Sequence, residues 1–326
     1  RRPGGAHGRA GRGAAGAGGV SGPDLRPAVR AFFDGAVREW DTERYRDPTY
    51  RGRARHALRW LLRMGPGTRV LDLGCGTGRQ SADALRAGNR VVSADFSFEM
   101  ARATRDRIAR ECPAAAPAVV VADALHPPFR PGAFDAVMAL GVVGFVPDRP
   151  AMLREAAALL RPGGELFLDV GIPEPRVLFH AVTRWMDRPL LALRRAWRVH
   201  VRRLPAADAA RTTGWYGTHF SKHAPEEIEA MLRRAGLVPL DRGGAGFGEL
   251  RLLGRRILPW RVEAAVSAFL GRLTGLPGGG WLARHALTYV VRSVRTPLAA
   301  DRPARIVPPP APVPADAPAL GGQLRP

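Results

Sequence analysis

Arg69-Val70-Leu71-Asp72-Leu73-Gly74-Cys75-Gly76-Thr77-Gly78 joins an apolar run to three glycines at alternate positions. Val70 to Leu73 predict a short strand buried on both faces, because apolar and β-branched residues bounded by glycine suit the centre of a parallel sheet. Gly74, Gly76 and Gly78 let the backbone turn tightly and let a ligand approach with no Cβ in the way. Arg79 to Ala87 are helix-compatible, so the unit reads strand, glycine loop, helix. The glycine register excludes two nucleotide loops. The dinucleotide pattern G-x-G-x-x-G needs glycine where Arg79 stands, and a Walker loop needs Gly-Lys-Ser/Thr, whereas Lys222 is the only lysine of the chain.

Moving outward, Arg90 to Asp95 predict a second strand that ends in an acid 19 residues beyond Gly76. At about that distance a βαβ unit presents a carboxylate to ribose hydroxyls. Ser97 stands at a helix N-cap, followed by Glu99 and a Met100/Ala101/Ile108 face. A third run, Ala118 to Ala122, ends at Asp123. A fourth, Phe134 to Leu140, carries Asp135, which reads equally well as a cap or turn former. The fifth, Glu165 to Val170, follows an Arg161-Pro162-Gly163-Gly164 turn.

The D-x-G-x-G-x-G loop, with acids closing the next strands, resembles the motifs of class I S-adenosylmethionine (SAM)-dependent methyltransferases from about Thr68 to Val170. The resemblance implies an α/β fold, a Rossmann-like doubly wound sheet of seven mostly parallel strands, and SAM as cofactor. Gly74, Gly76 and Gly78 would then line the methionine and ribose portion, with Cys75, Phe96 and Leu140 as further cofactor contacts. Asp95 would hold the ribose hydroxyls, and Asp123 with the backbone of Ala124 would face the adenine edge. Asp72 would sit beneath the loop near the cofactor's amino group. SAM carries a sulfonium and an ammonium but no phosphate, so a loop closed by carboxylates suits it.

Composition bounds the rest. The chain has 326 residues, 46% of them hydrophobic, enough for one large domain with insertions. A net charge of +21 would ordinarily suggest a nucleic-acid partner. Nearly all of it is arginine, beside 38 glycines and 30 prolines, the bias of a GC-rich coding sequence, so nucleic acid is not an expected partner. Two cysteines exclude a disulfide scaffold and a cysteine-ligated metal cluster, and no metal is expected. No run approaches the roughly 20 apolar residues of a spanning helix. No signal peptide is visible either, so a cytoplasmic enzyme is expected, with contact at the inner membrane surface. Residues 1–22 and 300–326 read as disordered tails around a methyltransferase domain at 23–299.

The helical stripe Val29, Phe32, Phe33, Val37, Trp40 precedes the first strand, where Tyr45 or Tyr50 is a candidate cover for the cofactor. Pro225-Glu226-Glu227 opens a late helix that Gly236 ends, and Leu237 to Asp241 and Leu287 to Val294 predict the last two strands. Two insertions remain, 171–221 and 242–286, both too long to be turns. The first carries the stripe Leu190, Leu193, Trp197, Val201, Leu204, with seven arginines against one acid between Arg184 and Arg203. A basic amphipathic helix of that kind suits an anionic bilayer, which makes 190–204 the candidate membrane contact. In the second, Val262, Val266, Phe269, Leu270 and Leu273 share a face expected to pack on the core.

The expected acceptor is an O or C atom of a small, apolar or lipid-like molecule. His219 is the first candidate for general base, with His180, His223 and Asp169 behind it. The Asn/Asp-Pro-Pro-aromatic motif of exocyclic-amine base methylases is missing after the fourth strand, where Leu140 to Phe145 stand, and so is a Pro-Cys nucleophile. Rival readings are an RNA methyltransferase using the basic insertions, a non-catalytic SAM-binding scaffold, and an aminopropyl transferase. The arginine-rich insertions speak against the polyamine of the last.

Overall fold

The computed structural model describes residues 26–42, 47–173, 221–247, 251–252, 255–256 and 259–296. Both expected tails, the 190–204 stripe, Tyr45, His180 and His219 lie outside these residues.

Burial on both faces of the strands decides the architecture. In β1 (Arg69–Leu73), Val70 and Leu71 point to opposite sides and neither is exposed at all. Ala136 and Val137 repeat this in β4 (Phe134–Ala139), as do Phe167 and Leu168 in β5 (Leu160–Gly171). Such strands require helices on both faces. On one face Ala57, Trp60 and Leu61 of α2 (Pro48–Met64) and Ala84 of α3 (Arg79–Arg86) meet Val70, Ala136 and Phe167. On the other, Met152, Leu153 and Ala156 of α5 (Arg149–Leu159) and Ile228 and Leu232 of α6 (Pro225–Arg234) meet Leu71, Val137 and Leu168. Among the described residues the other α-helices are α1 (Arg26–Thr42), α4 (Phe98–Glu111), α7 (Trp260–Leu273) and the single-turn α8 (Gly280–Ala283).

With β2 (Arg90–Asp95), β3 (Ala118–Val121), β6 (Leu237–Ala245) and β9 (Thr288–Arg295), the sheet has seven strands in the order β3-β2-β1-β4-β5-β9-β6. β9 runs antiparallel to both neighbours and the other pairs are parallel. The short strands β7 (Arg251–Leu252) and β8 (Arg255–Arg256) form a separate hairpin.

Three expectations are refined. Arg161 to Gly164 is a bulge inside β5 rather than a turn before it: pairing jumps from Phe134↔Leu160 to Ala136↔Glu165, and Gly163 takes φ 75° within it. Asp135 neither caps a helix nor makes a turn. It accepts Arg69 N–H at 2.9 Å, Arg69 Nη2 at 3.0 Å and Arg161 Nε at 2.6 Å, clamping the amino ends of β1, β4 and β5. Those bonds, Arg69 foremost, hold its carboxyl well below the usual carboxylate range.

The third refinement is a reversal. Val262, Val266 and Phe269 of the expected α7 face do not pack on the core, being 44%, 38% and 60% exposed; Leu270 and Leu273 are half-buried, while Glu263, Ser267 and Thr274 are buried. The reason lies in β6, an edge strand whose outward N–H groups need acceptors. Gly244 N–H donates to Thr274 Oγ1 at 3.2 Å, and Phe247 N–H, just past the strand, donates to Ser267 Oγ at 3.3 Å. Hydrogen bonding to the sheet edge turns the polar side of α7 inward.

Candidate active site

The strand order reverses direction between β1 and β4, and open α/β sheets bind ligands in the crevice outside the carboxyl ends at such a point. The glycine loop fills this position. Gly74 and Gly76 take φ 76° and 57°, in the left-handed region. Gly74 N–H and Cys75 N–H both donate to Ala94 O, at 2.7 and 3.0 Å, which pulls the loop over the end of β2. A Cβ on Gly74 would fall 2.2 Å from Val142 Cγ2, whereas one on Gly76 would meet nothing within 4 Å.

Asp95, at the end of β2, closes against this loop. Its Oδ2 accepts Gly76 N–H at 2.8 Å and its Oδ1 accepts Ser97 N–H at 2.9 Å. Burial raises its carboxyl to about 6 against the pull of the two donors. Ser97 Oγ accepts Met100 N–H at 3.1 Å, the cap expected for α4, and donates to Asp34 Oδ1 at 2.5 Å. Asp34 belongs to α1, so the capping network also pins the helix that crosses the cavity. Arg30 Nε adds a bond to Phe96 O at 3.0 Å. Asp123, past β3, accepts Leu125 N–H at 2.9 Å.

These groups border a cavity of about 420 Å³, within the usual size of a small-molecule site. Of the residues expected to contact the cofactor, Gly74, Cys75, Gly76, Asp95, Phe96, Asp123, Ala124 and Leu140 line it. Asp72 and Gly78 do not. Asp72 is buried beneath the loop, where its Oδ2 accepts Ser81 Oγ at 2.6 Å, and burial pushes its carboxyl up to about 6. Gly78 is pressed against Thr104, whose Cα would stand 2.9 Å from an added Cβ, so it is a packing glycine.

The far side of the cavity is aromatic and aliphatic. Phe33 meets Phe145 at 5.1 Å and Trp40 at 5.2 Å, and Trp40 meets Tyr50 at 6.1 Å, all edge to face. Val146, Ile172 and Leu287 complete the lining, joined by Lys222. Among the described residues, one buried ion pair interrupts it. Arg53 Nη1 lies 3.1 Å from Asp169 Oδ2, Gly141 N–H donates to Asp169 Oδ1, and the guanidinium stacks 4.0 Å over Tyr50. Of the histidine candidates, only His223 is described. Its Nδ1 lies 3.5 Å from Glu227 Oε2 and the residue does not line the cavity. Arg53 escaped the sequence reading because arginine is everywhere in this chain. The signal that could have found it is its place three residues after Tyr50, on the inward side of α2.

A family profile for the methyltransferase domain matches residues 71–168, from β1 to β5. Demethylmenaquinone methyltransferase of Mycobacterium tuberculosis is 34% identical over 170 residues, covering 52% of this chain and 69% of that protein. Ubiquinone biosynthesis O-methyltransferase of Xanthomonas campestris pv. campestris is 31% identical over 205 residues, covering 62% and 72%. The chain belongs to the class I SAM-dependent methyltransferases. The methyltransferase also shares its fold with magnesium protoporphyrin IX methyltransferase from Synechocystis PCC 6803, solved with bound S-adenosylhomocysteine. The TM-score is 0.53 at 17% identity, over 83% of this chain and 100% of that one.

SAM is the cofactor of this methyltransferase, and the cavity fits it on chemical grounds. Open space beside Gly76 admits a ligand against the backbone, and the carboxyl groups of Asp95 and Asp123 border the same cavity, as hydroxyl and amino donors would require. No basic side chain stands in the glycine loop between Gly74 and Gly78, and of those that line the cavity Arg53 pairs with Asp169 and Arg26 lies 3.6 Å from Asp123 Oδ2.

Proposed function

We propose that this methyltransferase transfers the methyl of SAM to an O or C atom of a small, apolar, quinone-class acceptor. The observation that carries the reading is the aromatic wall formed by Phe33, Trp40, Tyr50 and Phe145, facing the glycine loop across one cavity. Such a wall binds a flat apolar ring by burial and edge contacts. The relatives named for demethylmenaquinone and for ubiquinone biosynthesis support the same acceptor class. Contact of the 190–204 stripe with an anionic bilayer belongs to this reading as the route by which a lipid-like acceptor arrives.

In this assignment Gly74, Cys75 and Gly76 approach the methionine portion, Asp95 accepts from the ribose hydroxyls, and Asp123 with Ala124 meets the adenine edge. Leu140 and Phe96 flank the base, and Asp72 braces the loop from below. SAM supplies a methyl already activated by its sulfonium, so the protein's work is alignment and exclusion of water. Trp40 and Phe33, carried by α1, close the cavity from above. Asp169, held by Arg53 and Gly141 N–H, fixes the polar point against which a ring oxygen is oriented. His219 is the proposed proton acceptor for a hydroxyl or acidic carbon, and Asp169 is its rival.

Titration calorimetry with SAM, followed by a radiolabelled-methyl assay on a short-chain demethylmenaquinol, tests the proposal. Asp95→Ala should weaken SAM binding by roughly thirtyfold, on the scale of charge-assisted hydrogen bonds. His219→Ala should lower turnover while leaving SAM affinity intact. A wild-type protein that binds SAM but labels only RNA, or nothing, defeats the acceptor assignment.

A further inference from the structure

The outward turn of α7 leaves an apolar surface beside a basic one. Phe269, Val262 and Val266 project from the helix, and Arg261 and Arg272 are exposed along its flank. That flank faces α2: Ala264, Ala265 and Ala268 line a groove with Arg51, Ala54, Arg55 and Leu58, and Asp41 and Asp83, each paired with an arginine, line it as well. α2 contains five arginines and no acid, and Arg51, Arg55 and Arg63 are exposed on it, as is Leu62 at 58%. The one acid of α7, Glu263, is 2% exposed. Burial and the nearness of Arg272, Arg51 and Arg59 lower the pKa of Arg55, the mark of like charges crowded together. The joint outer face of the two helices therefore presents arginine and large apolar side chains; neither helix adds an exposed carboxylate, and Arg63, at its end, pairs with Asp241 of β6 at 3.2 Å.

We propose that this face, built from α7 and α2, is a docking surface for a bilayer rich in acidic phospholipid. The match is one of charge and of depth. Arginines within reach of the headgroups are drawn by the negative surface potential, and Phe269, Val262 and Val266 enter the boundary between headgroup and acyl chain. A protein partner with a single acidic patch would satisfy the arginines but would leave the apolar ridge beside them unexplained. The surface also has a bearing on the cavity. α2 carries Tyr50 and Arg53 on its inward side, in the cavity lining, and Arg51 and Arg55 on its outward side, so docking sets the cavity one helix diameter from the lipid. The proposal extends the apolar-acceptor reading but does not depend on it, since binding to vesicles is measured without any acceptor.

Co-sedimentation with vesicles of phosphatidylcholine containing roughly one-third phosphatidylglycerol tests it, at low salt and again at ~1 M salt, where screening is nearly complete. The full chain should pellet at low salt with the mixed vesicles and far less with phosphatidylcholine alone. Arg55→Gln with Arg272→Gln should lower partitioning by about fivefold per arginine, and Phe269→Ser with Val266→Ser by about tenfold or more. All four side chains lie away from the cavity, so SAM calorimetry and thermal unfolding should match wild type and show that the variants are folded. Arg198→Gln with Arg202→Gln, in the 190–204 stripe, is the comparison that locates the contact. The proposal is overturned if the full chain stays in the supernatant at low salt, or if only the 190–204 variant loses binding. It is equally overturned if ultracentrifugation without vesicles shows a dimer that Phe269→Ser dissolves, because the occupant is then a second copy of the chain.

Discussion

Gly76 and Gly78 have the same sign of φ and different neighbours, and this separates binding from stability at single residues. A methyl on Gly76 stands in open space at φ 57°, on the cavity side; one on Gly78 lands 2.9 Å from the backbone of Thr104. Gly76→Ala should therefore lower SAM affinity by tenfold or more with a stability loss of only about 1 kcal/mol. Gly78→Ala should lower stability by about 2–3 kcal/mol through overpacking and strain, read in denaturant unfolding without cofactor. Asp95 adds a pH dependence. Its carboxyl titrates at about 6, and the ionised form is the one suited to ribose hydroxyls and a cationic ligand. SAM affinity should be steady above pH 7 and fall towards tenfold per pH unit below about 6, a decline that Asp95→Asn abolishes along with most of the binding. The place of Asp95 beside the glycine loop was legible because a βαβ unit fixes its distance from the glycines. The Arg53–Asp169 pair was not, because its partners are 116 residues apart and meet only when β5 lies beside α2.

At the scale of elements, periodicity located β1 to β5, α3, α4 and α6 to within a residue or two, apart from the four-residue bulge that begins β5. Apart from the outer strand β3, each of these buries apolar side chains in the core, so its pattern and its packing agree. α7 broke that rule. Its apolar side was legible, but which side faces inward was decided by backbone donors at the β6 edge, which no reading of the helix alone contains. The Asp135 clamp likewise depends on three strands meeting at one end. It sits opposite the carboxyl ends that form the cavity, so Asp135→Ala should reduce stability by about 1 kcal/mol, its partners being half exposed, and leave SAM affinity unchanged. Chemical denaturation and calorimetry on the same preparation check both halves; a variant with weakened SAM binding would mean that the clamp reaches the loop through β1.

For the molecule as a whole, acidification pulls in two directions. His56, 3% exposed, accepts Arg59 Nη2 on Nδ1 at 2.7 Å and lies 3.2 Å from Gly244 O through Nε2, so the neutral ring is the form built into the fold. Burial, then Arg59, lower its pKa from 6.5 to about 4. The unfolded chain binds that proton first, so this contribution is complete above pH 6.5 and is lost as pH falls towards 4. Asp72 and Asp95, raised to about 6 by burial, do the opposite: the folded state takes up their protons first and gains stability between pH 6 and 4. Wild type should therefore change little between pH 6.5 and 5. His56→Gln, lacking the opposing group, should gain about 2 kcal/mol on the same acidification, and thermal unfolding at the two pH values reads the difference. One further property follows from where the chain departs from the sheet and returns. Ile172 N–H is tied to Leu287 O at 3.0 Å, Ser221 N–H to Gly144 O at 2.8 Å and His223 N–H to Gly171 O at 3.0 Å, and Ile172 and Lys222 both border the cavity. Two fixed posts at the rim thus bracket the intervening stretch, while the hydrogen bonds of Asp95 run to Gly76 and Ser97. Crossovers at these posts would let natural recombination, or a designed graft, exchange that stretch while inheriting the donor seat and the aromatic wall unaltered.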